Sequence, residues 1–406
     1  MDDALNAHLQ AFVIDSNESL ELRLVREIQD VDDEKTIFKP EMSHQVFGES
    51  ETIFGYRDLK VKLYYSAGCL ETYLGIDYTS KLKETTDQNV KADDVLQMLS
   101  NFLSSPVHYS LDSFFSSLVK DDTFVPAGEL IQAHYVKGNN STRKFEVYKA
   151  HMGDRNFKEY HKRMQTFILW YIDAANFLDV DDDQWHYFNM FERYVSASGS
   201  VRYATVGFAT VYQYYAYPNH TRPRIAQVLI LPPFQNIGLG AQLLRAIYAD
   251  YIGRSEVKDI TVEDPSPGFQ RLRDYVDATN CSTLPSFQKH CLLQGFNKTM
   301  TIEARDNFKI NKRQARRVYE ILRLKVTNIS NETEYRDYRL NVKRRLNIPL
   351  KREQRGLKNI ELSSKVLNQG SEFGPEYYME ILEKEYRLLE EEYDKVIKRM
   401  ENSAQL

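Results

Sequence analysis

The chain has 406 residues, of which 42% are hydrophobic and 27% charged, a composition that predicts a globular protein of two or three domains and excludes a disordered or fibrous one. The net charge of −5 at pH 7 argues against broad binding to nucleic acid and is compatible with a basic partner. The acidic start MDDALNAHLQ lacks signal-peptide features, and no apolar run approaches the about 20 residues that span a bilayer, so we expect a soluble protein that is not exported.

Three cysteines, Cys69, Cys281 and Cys291, form no CxxC pair and no metal-ligand spacing with histidine. We therefore expect free thiols in a reduced compartment and no metal site.

The first 148 residues predict an N-terminal α+β domain. LELRLVRE, DLKVKLYYSAG and LETYLGIDYT alternate apolar and polar residues, which predicts antiparallel strands. KADDVLQMLSNFL and SLDSFFSSLV predict short helices, and HYVKGNNSTRKFEVYKAHM predicts a hairpin with GNNS as its loop.

A central domain is predicted over residues 149–276. Apolar residues spaced by three and four from Arg155 to Leu178 predict one long helix. WHYFNMFERY, VRYATVGFATVYQYYAY and RPRIAQVLIL then predict an antiparallel meander that enters a glycine turn and a helix. VKDITVED predicts one more strand, and the next helix is expected to begin at Pro265.

A helical domain, with the basic helix KRQARRVYEILRL, is predicted over 277–345, and a polar connector and a terminal helix over 346–406. In the last helix, apolar residues spaced by four and three form a seam between charged faces, which either packs on its own domain or meets a partner helix. The seam residues are Leu382, Tyr386, Leu389, Tyr393, Val396 and Met400.

The glycine turn QNIGLGAQLL, directly behind QVLILPPF, predicts an anion site, because glycines before a helix let backbone N–H groups approach a phosphate. A Walker loop is excluded, since Ala241 and Gln242 follow Gly240 where Lys and Ser or Thr are needed. A dinucleotide fingerprint is weak, because Leu243 occupies its third glycine position and the preceding strands look antiparallel.

The turn resembles that of the GNAT superfamily of N-acetyltransferases, whose signature Q/R-x-x-G-x-G/A is met at Gln235, Gly238 and Gly240. The resemblance implies an acyl-CoA site in which backbone amides hold the pyrophosphate without a lysine. It also implies a mixed, mostly antiparallel sheet that is splayed where Pro232 and Pro233 end the preceding ladder.

Longer segments resemble the catalytic subunits of type B histone acetyltransferases. They are RPRIAQVLILPPFQNIGLGAQLL, DITVEDPSPGFQRLRDY, FKINKRQARRVYEILRL, DVDDDQWHYF and ETIFGYRDLKVKLYYSAG. The resemblance covers most of residues 43–345. It implies an α/β (α+β) GNAT acetyltransferase fold, with the N-terminal α+β unit and a small helical C-terminal unit added to it. It also implies acetyl transfer from acetyl-CoA to N-terminal tail lysines of newly synthesised histone 4.

The resemblance implies direct attack of the lysine amine with a carboxylate as general base. Glu263 matches the family's base, and Asp264 and the helix residue Asp173 match assisting carboxylates. Each of the three has a structural alternative, which for Glu263 is a purely structural role at the end of its strand. Asp264 before Pro265 also suits a helix N-cap, and Asp173 stands where the family usually has Glu, so its role could be taken through a water.

Two further sets of residues carry over from the family. The coenzyme set is Val228, Leu229, Ile230, Gln235, Asn236, Ile237, Gly238, Leu239, Gly240, Ala241, Ser266 and Tyr275, the last two with packing as an equal alternative. The histone-contacting set is Glu49, Ser50, Glu51, Trp185, Tyr212, Gln213 and Tyr214.

The resemblance implies histone 4, with histone 3, as the substrate. It also implies a WD-repeat histone chaperone of the retinoblastoma-binding type as partner, and the nucleus and cytoplasm as locations. We expect no direct contact with nucleic acid or membrane. Three alternatives stay open: other protein tails as acceptors, polyamines as acceptors, or a weakly active histone chaperone or coenzyme-binding scaffold.

Overall fold

The computed structural model describes residues 9–82, 91–138, 141–174, 176–179, 181–363 and 375–404. The chain divides into two units, which are described separately. The first comprises residues 1–214 and 224–250, and the second comprises residues 215–223 and 251–406.

The first unit begins with short strands and helices around a four-stranded sheet. Its strands are β1 (Val13–Asp15), β2 (Leu20–Val25), β3 (Thr52–Phe54), β4 (Tyr56–Arg57), β5 (Lys60–Ser66), β6 (Thr72–Asp77), β7 (Ser80–Lys81) and β8 (Val107–His108). Its helices are α1 (Ser16–Ser19), α2 (His44–Phe47), α3 (Val95–Ser100) and α4 (Leu111–Ser117).

The four-stranded sheet has the order β2-β5-β6-β8. β5 and β6 are antiparallel as predicted, but β2 pairs with β5 in parallel, and so does β6 with β8, so the expectation of antiparallel strands throughout was wrong. The chain between β2 and β5 holds α2 and the strand β3, which pairs with β1. Such a long crossover returns the chain in its original direction, whereas a tight hairpin reverses it.

The predicted long helix from Arg155 to Leu178 is shorter than expected. It is α5 (Arg155–Met164), one 3₁₀ turn (Gln165–Phe167) and α6 (Ile168–Tyr171). Ile172 is already extended, with φ −130° and ψ 107°. The apolar period persists through residues that lie beyond the helix, and Ala175 lies outside the described residues.

The large sheet of the first unit contains β9 (Glu129–Lys137), β10 (Thr142–Ala150), β11 (Trp185–Val195), β12 (Val201–Ala216) and β13 (His220–Ile230), paired in chain order. The β9–β10, β10–β11 and β11–β12 pairs are antiparallel, which confirms the predicted hairpin and the first part of the predicted meander. Two residues of the predicted hairpin loop, Asn139 and Asn140, lie outside the described residues.

Helix α7 (Leu239–Ile252) follows β13 and belongs almost wholly to the first unit. Leu243, Leu244 and Ile247 are buried on its inner side. A nearly buried ion pair, Lys149 Nζ to Asp250 Oδ2 at 2.8 Å, ties the end of the helix to β10. The first unit therefore holds this helix along its buried side and at its last turn.

The second unit is mainly helical. After β14 (Thr261–Val262) it contains α8 (Pro267–Cys281), α9 (Lys289–Gln294), α10 (Lys298–Phe308), α11 (Lys312–Val326), α12 (Glu332–Ser363) and α13 (Pro375–Ala404). The basic helix is confirmed as α11. The polar connector expected after Arg345 is wrong up to residue 363, because α12 continues through it, and its remaining residues, 364–374, lie outside the described part.

Helix α13 packs on its own unit, which decides between the two alternatives for its apolar seam. Tyr386, Tyr393, Val396 and Met400 are buried. The Tyr393 hydroxyl donates to Glu320 Oε2 of α11 at 2.9 Å. Burial of four seam residues stabilises the helix far more than its intrinsic propensity can.

The element bounds bear on the predicted domain limits. The limits at residues 148, 276 and 345 fall within β10, α8 and α12 respectively.

Among the described residues, no helix combines the length and apolar character needed to cross a membrane.

Candidate functional site

The glycine turn has the predicted strand–turn–helix context. β13 ends at Ile230, residues Pro232–Phe234 form a 3₁₀ turn, and α7 begins at Leu239. Asn236 and Gly238 both adopt positive φ, +62° and +88°. Glycine is needed at 238 for this backbone angle and not for space, because a Cβ placed there would meet no atom within 4 Å.

The turn presents backbone to solvent at the start of a helix. Residues 235–238 are exposed, whereas Leu239 is buried and anchors the helix start. The N–H groups of a first helical turn have no intrahelical acceptor, and the helix dipole makes that end electropositive. The residues present therefore fit a phosphate group held by main-chain donors.

The Gln235 side chain links the turn back to the strand. Its Nε2 donates to the Ile230 carbonyl at 2.8 Å, which closes the loop around the two prolines. Thus the signature glutamine has a structural role that does not depend on any ligand.

The strand before the turn lies against an irregular part of β12. The register between β11 and β12 skips Val206, which makes it a β-bulge. The Leu231 N–H donates to the Val206 carbonyl at 2.9 Å, and the chain then leaves the sheet at Pro232 as predicted. A Cβ on Gly207 would lie 2.2 Å from the Leu229 carbonyl, so only glycine allows this approach.

A second group, on the N-terminal part of the first unit, contains His44, Glu51 and Asp173. His44 Nδ1 lies 3.5 Å from Glu51 Oε1, and His44 Nε2 lies 3.2 Å from Asp173 Oδ1. The structure thus brings together one predicted histone-contacting residue and one predicted catalytic residue. Asp173 follows the end of α6, so its assignment to a helix was wrong.

Glu51 is held by its own chain. Its Oε1 accepts from the backbone N–H of Ser43 at 2.6 Å and of His44 at 3.0 Å, and its Oε2 accepts from Asn17 Nδ2 at 2.8 Å. The hydrogen bond from Ser43 is the main reason that the pKa of Glu51 is lowered. Glu51 therefore stays ionised and does not suit a general base. Its neighbours Glu49 and Ser50 are exposed.

An aromatic surface with one acidic member lies at the ends of β11 and β12. Trp185 and Tyr212 are cross-strand partners with ring centroids 4.9 Å apart, and Tyr212 and Tyr214 are 4.7 Å apart. The Arg224 guanidinium lies 4.5 Å from the Tyr214 ring centroid. Desolvation, followed by a hydrogen bond with Asp182, raises the pKa of Tyr212. Such a surface can bind a cationic side chain.

Gln213 lies between the two tyrosines, and its N–H donates to the Gln184 carbonyl at 3.0 Å. This bond fixes the turn that precedes β11 against β12. Asp182 of the DVDDD segment belongs to the aromatic surface through its hydrogen bond with Tyr212. Val180 of the same segment lies outside the described residues.

The predicted site residues of the second unit are Glu263, Asp264, Ser266 and Tyr275. Glu263 and Asp264 follow β14 directly and are exposed. Neither carboxylate is buried by the part of the chain that the structure describes. Asp264 has φ +27°.

The helix after these carboxylates starts later than predicted. Ser266 is the N-cap, its Oγ accepting from the Phe269 N–H at 3.2 Å, and Pro267 is the first helical residue. Asp264 as N-cap with Pro265 at the helix start was therefore wrong, because the Ser-Pro pair two residues on meets the same rule.

Tyr275 packs inside its unit. Its ring is 6% exposed, its hydroxyl donates to Ser403 Oγ of α13 at 3.0 Å, and the Arg399 guanidinium lies 4.3 Å from its ring centroid. Tyr275 therefore has a packing role within the second unit, and its contact with the coenzyme stays a prediction.

Backbone angles single out several of the same positions. Seven non-glycine residues of the described chain have positive φ, and among them are Glu51, Asn236 and Asp264. Ala174, with φ +52°, directly follows Asp173. Strained backbone of this kind persists where the surrounding structure enforces it, and it is concentrated at functional sites.

His44 is the residue that sequence reasoning missed. Nothing in its local sequence marks it, because Asp173, one of the two carboxylates that it contacts, comes from a distant part of the chain. No group of three or more His, Cys, Asp or Glu side chains that could hold a metal ion occurs among the described residues.

Comparison with known families gives two matches. The model of the histone acetyl transferase HAT1 N-terminus matches residues 12–173. The model of the histone acetyltransferase type B catalytic subunit, C-terminal, matches residues 273–324.

Curated relatives match over nearly the whole chain. The histone acetyltransferase type B catalytic subunit of Mus musculus is 44% identical over 402 residues, which cover 98% of this chain and 96% of the relative. That of Homo sapiens is 44% identical over 404 residues, with the same coverage. That of Cryptococcus neoformans is 31% identical over 376 residues, covering 83% of this chain and 89% of the relative.

Among solved structures, an aminoglycoside acetyltransferase from an uncultured soil metagenomic sample is 15% identical with a TM-score of 0.23. It covers 35% of this chain and 88% of its own. A TM-score this low carries no argument about function.

Proposed function

The chain belongs to the histone acetyltransferase type B catalytic subunits, and from this membership we propose that it transfers acetyl from acetyl-CoA to lysines in the N-terminal tail of histone 4. Membership makes the protein an enzyme that acts on histones. The observation that carries the finer proposal is the identity of 44% over 98% of the chain, because it extends through both the turn and the carboxylate segment.

Acetyl-CoA use is supported by the glycine turn. Residues 236–240 offer main-chain donors at the start of α7, whereas the N–H groups of Gln235 and Ala241 donate to the Pro232 and Gly238 carbonyls. The φ of +88° at Gly238 gives the turn a shape that other residues rarely adopt. These residues would hold the pyrophosphate, and the strand Val228–Ile230 would pair with the pantetheine arm. When bound, the coenzyme supplies an acetyl group activated as a thioester.

The chemistry requires a base. A lysine side chain has an ordinary pKa of about 10.4 and is protonated near pH 7, so it must lose a proton before it can attack a carbonyl carbon. Glu263 would accept the first proton of the lysine ammonium. As the lysine nitrogen bonds to the acetyl carbon, the carbon–sulfur bond would break, and the second proton lost by the nitrogen would pass to the sulfur, so that the coenzyme leaves as a thiol. Asp264 and Asp173 assist by positioning the amine or its water.

The acceptor is proposed from the aromatic surface. Trp185, Tyr212 and Tyr214, together with Glu51 and Asp182, offer aromatic and anionic groups to a lysine-rich tail. A tail rich in glycine and lysine can lie close to such a surface, because glycine adds no side-chain bulk. Histone 3 is proposed as the companion of histone 4 in the substrate.

A WD-repeat chaperone of the retinoblastoma-binding type is proposed as the partner, and the nucleus and cytoplasm as the locations, both on the family resemblance alone. Adding the purified chaperone to the enzyme should lower KM for histone 4 in complex with histone 3. Absence of any complex between the two purified proteins in gel filtration would count against this partner.

The central test compares acceptors and one substitution. Purified full-length protein with labelled acetyl-CoA should acetylate a histone 4 tail peptide faster than a histone 3 tail peptide or spermidine. Glu263→Gln should lower turnover by about 100-fold or more, the range for loss of a general base, while acetyl-CoA affinity stays unchanged. Preference for spermidine would refute the acceptor.

A matched control is available in the same unit. Glu256 is an exposed glutamate shortly before β14, and Glu256→Gln should acetylate the peptide at the wild-type rate. Wild-type turnover in Glu263→Gln would refute the assignment of the base and leave the family unaffected.

A further inference from the structure

His44 lies at the start of α2, with each ring nitrogen near a different carboxylate. Nδ1 is 3.5 Å from Glu51 Oε1, and Nε2 is 3.2 Å from Asp173 Oδ1. The ring is largely covered, with 25% of its side chain exposed. It therefore forms the middle of a chain of three polar groups.

One end of this chain is fixed. Glu51 accepts three hydrogen bonds, from the Ser43 and His44 amides and from Asn17. Its backbone is held as well, because the Ser16 N–H and hydroxyl both donate to the Glu51 carbonyl, at 2.9 Å and 2.6 Å. With φ +48°, Glu51 keeps a conformation that only such bonds can maintain.

The other end is loosely held by its own chain. The Asp173 side chain is 75% exposed and lies in the turn that follows α6. An aspartate in such a turn can rotate about χ1 between staggered positions. The contact with His44 Nε2 selects the position in which its carboxylate faces α2.

We propose that His44 is a positioning residue that transmits the fixed geometry of Glu51 to the carboxylate of Asp173. The inference rests on the proposed function, in which Asp173 assists deprotonation of the acceptor lysine. Holding a carboxylate in one orientation raises the fraction of encounters in which it can act, and this affects turnover more than binding.

Two isosteric substitutions separate the two contacts of the ring. The amide nitrogen of glutamine lies near the place of Nε2 and can still donate to Asp173, whereas that of asparagine lies near Nδ1. His44→Ala and His44→Asn should lower kcat about 10-fold, with KM for acetyl-CoA unchanged. His44→Gln should recover most of that loss.

A double-mutant cycle tests whether the effect passes through Asp173. If it does, His44→Ala combined with Asp173→Ala should be no slower than Asp173→Ala alone, because the positioned group is already gone. His290→Ala replaces an exposed histidine of α9 and should keep wild-type kcat. Thermal melting of each variant checks that the loss is not one of folding.

Three outcomes would overturn the inference: additive effects in the cycle, wild-type kcat in His44→Ala, or recovery by asparagine and not by glutamine. The cycle is run with whichever acceptor the wild-type enzyme acetylates. Failure of histone 4 as acceptor would therefore count against the proposed function, and failure of the coupling against the role of His44.

Discussion

Gly238→Ala isolates the contribution of backbone conformation to the turn. A Cβ at this position would meet no atom within 4 Å, so the substitution introduces no clash, yet φ is +88°. A residue with a Cβ in left-handed backbone costs about 1–2 kcal/mol. We expect this energy to be divided between the free energy of unfolding and the free energy of acetyl-CoA binding, so that the melting temperature falls and the affinity weakens.

The magnitudes follow from that energy. If all of it appeared as lost stability, the melting temperature would fall by about 2–8 °C for a unit of this size. If the turn relaxes in the free protein, the coenzyme must restore the shape of the turn on binding, and the energy of that change is lost from the binding free energy. A loss of about 1.4 kcal/mol makes the Kd for acetyl-CoA tenfold weaker. Calorimetric titration with acetyl-CoA and thermal melting measure the two parts.

Two other glycines serve as controls in the same unit. Gly199 has φ +85° and also no atom within 4 Å of a Cβ, but it lies in the turn between β11 and β12. Gly199→Ala should lose stability and keep full coenzyme affinity. Gly153 has the same open space without the unusual φ, so Gly153→Ala should change neither property. Wild-type affinity and melting in Gly238→Ala would refute the reasoning, as would an equal loss of affinity in Gly199→Ala.

Two further predictions concern stability. Arg317→Ala should lower the unfolding free energy by about 3 kcal/mol in denaturant titration, because Asp274, with no exposed side-chain surface, loses the Arg317 Nε contact at 2.6 Å. Arg313→Ala, an exposed change on the same helix, should have little effect, and equal losses would contradict this. Burial lowers the pKa of His161 to about 3 in the folded state, whereas in the unfolded chain the same side chain binds a proton near pH 6.5. The contribution of neutral His161 to the unfolding free energy is therefore complete above pH 6.5 and is lost as the pH falls towards 3. Between pH 6 and 4 the unfolding free energy of the wild type should fall more steeply than that of His161→Gln, by about 1.4 kcal/mol per pH unit, and parallel curves would show that His161 is not buried in its neutral form.

Sequence patterns predicted the positions of helices, strands and turns better than the pairing between strands. The strand β13, the break at Pro232, the turn and α7 all occur where the sequence places them, because glycine, proline and alternation act within a few residues. Alternation says nothing about strand direction, and the parallel pairing of β2 with β5 depends on the crossover between them. The same patterns also gave the wrong end for the helix before Asp173.

The candidate site was predicted one residue at a time, by resemblance. What could not be predicted is how these residues contact each other. The link from Glu51 through His44 to Asp173 joins distant parts of the chain, and no local signal marks it. Tyr275 shows the reverse case, since a position matching a coenzyme contact is occupied by a side chain that packs on α13.

The position of α13 at the end of the chain affects when the second unit can complete its packing during synthesis. It covers Tyr275 of α8, and residues 282–374 separate the two helices. A ribosome that adds 5–20 residues per second needs on the order of 5–20 s to synthesise that interval. During this interval the side of α8 that carries Tyr275 lacks its contact with α13, so the second unit can complete its packing only at the end of translation.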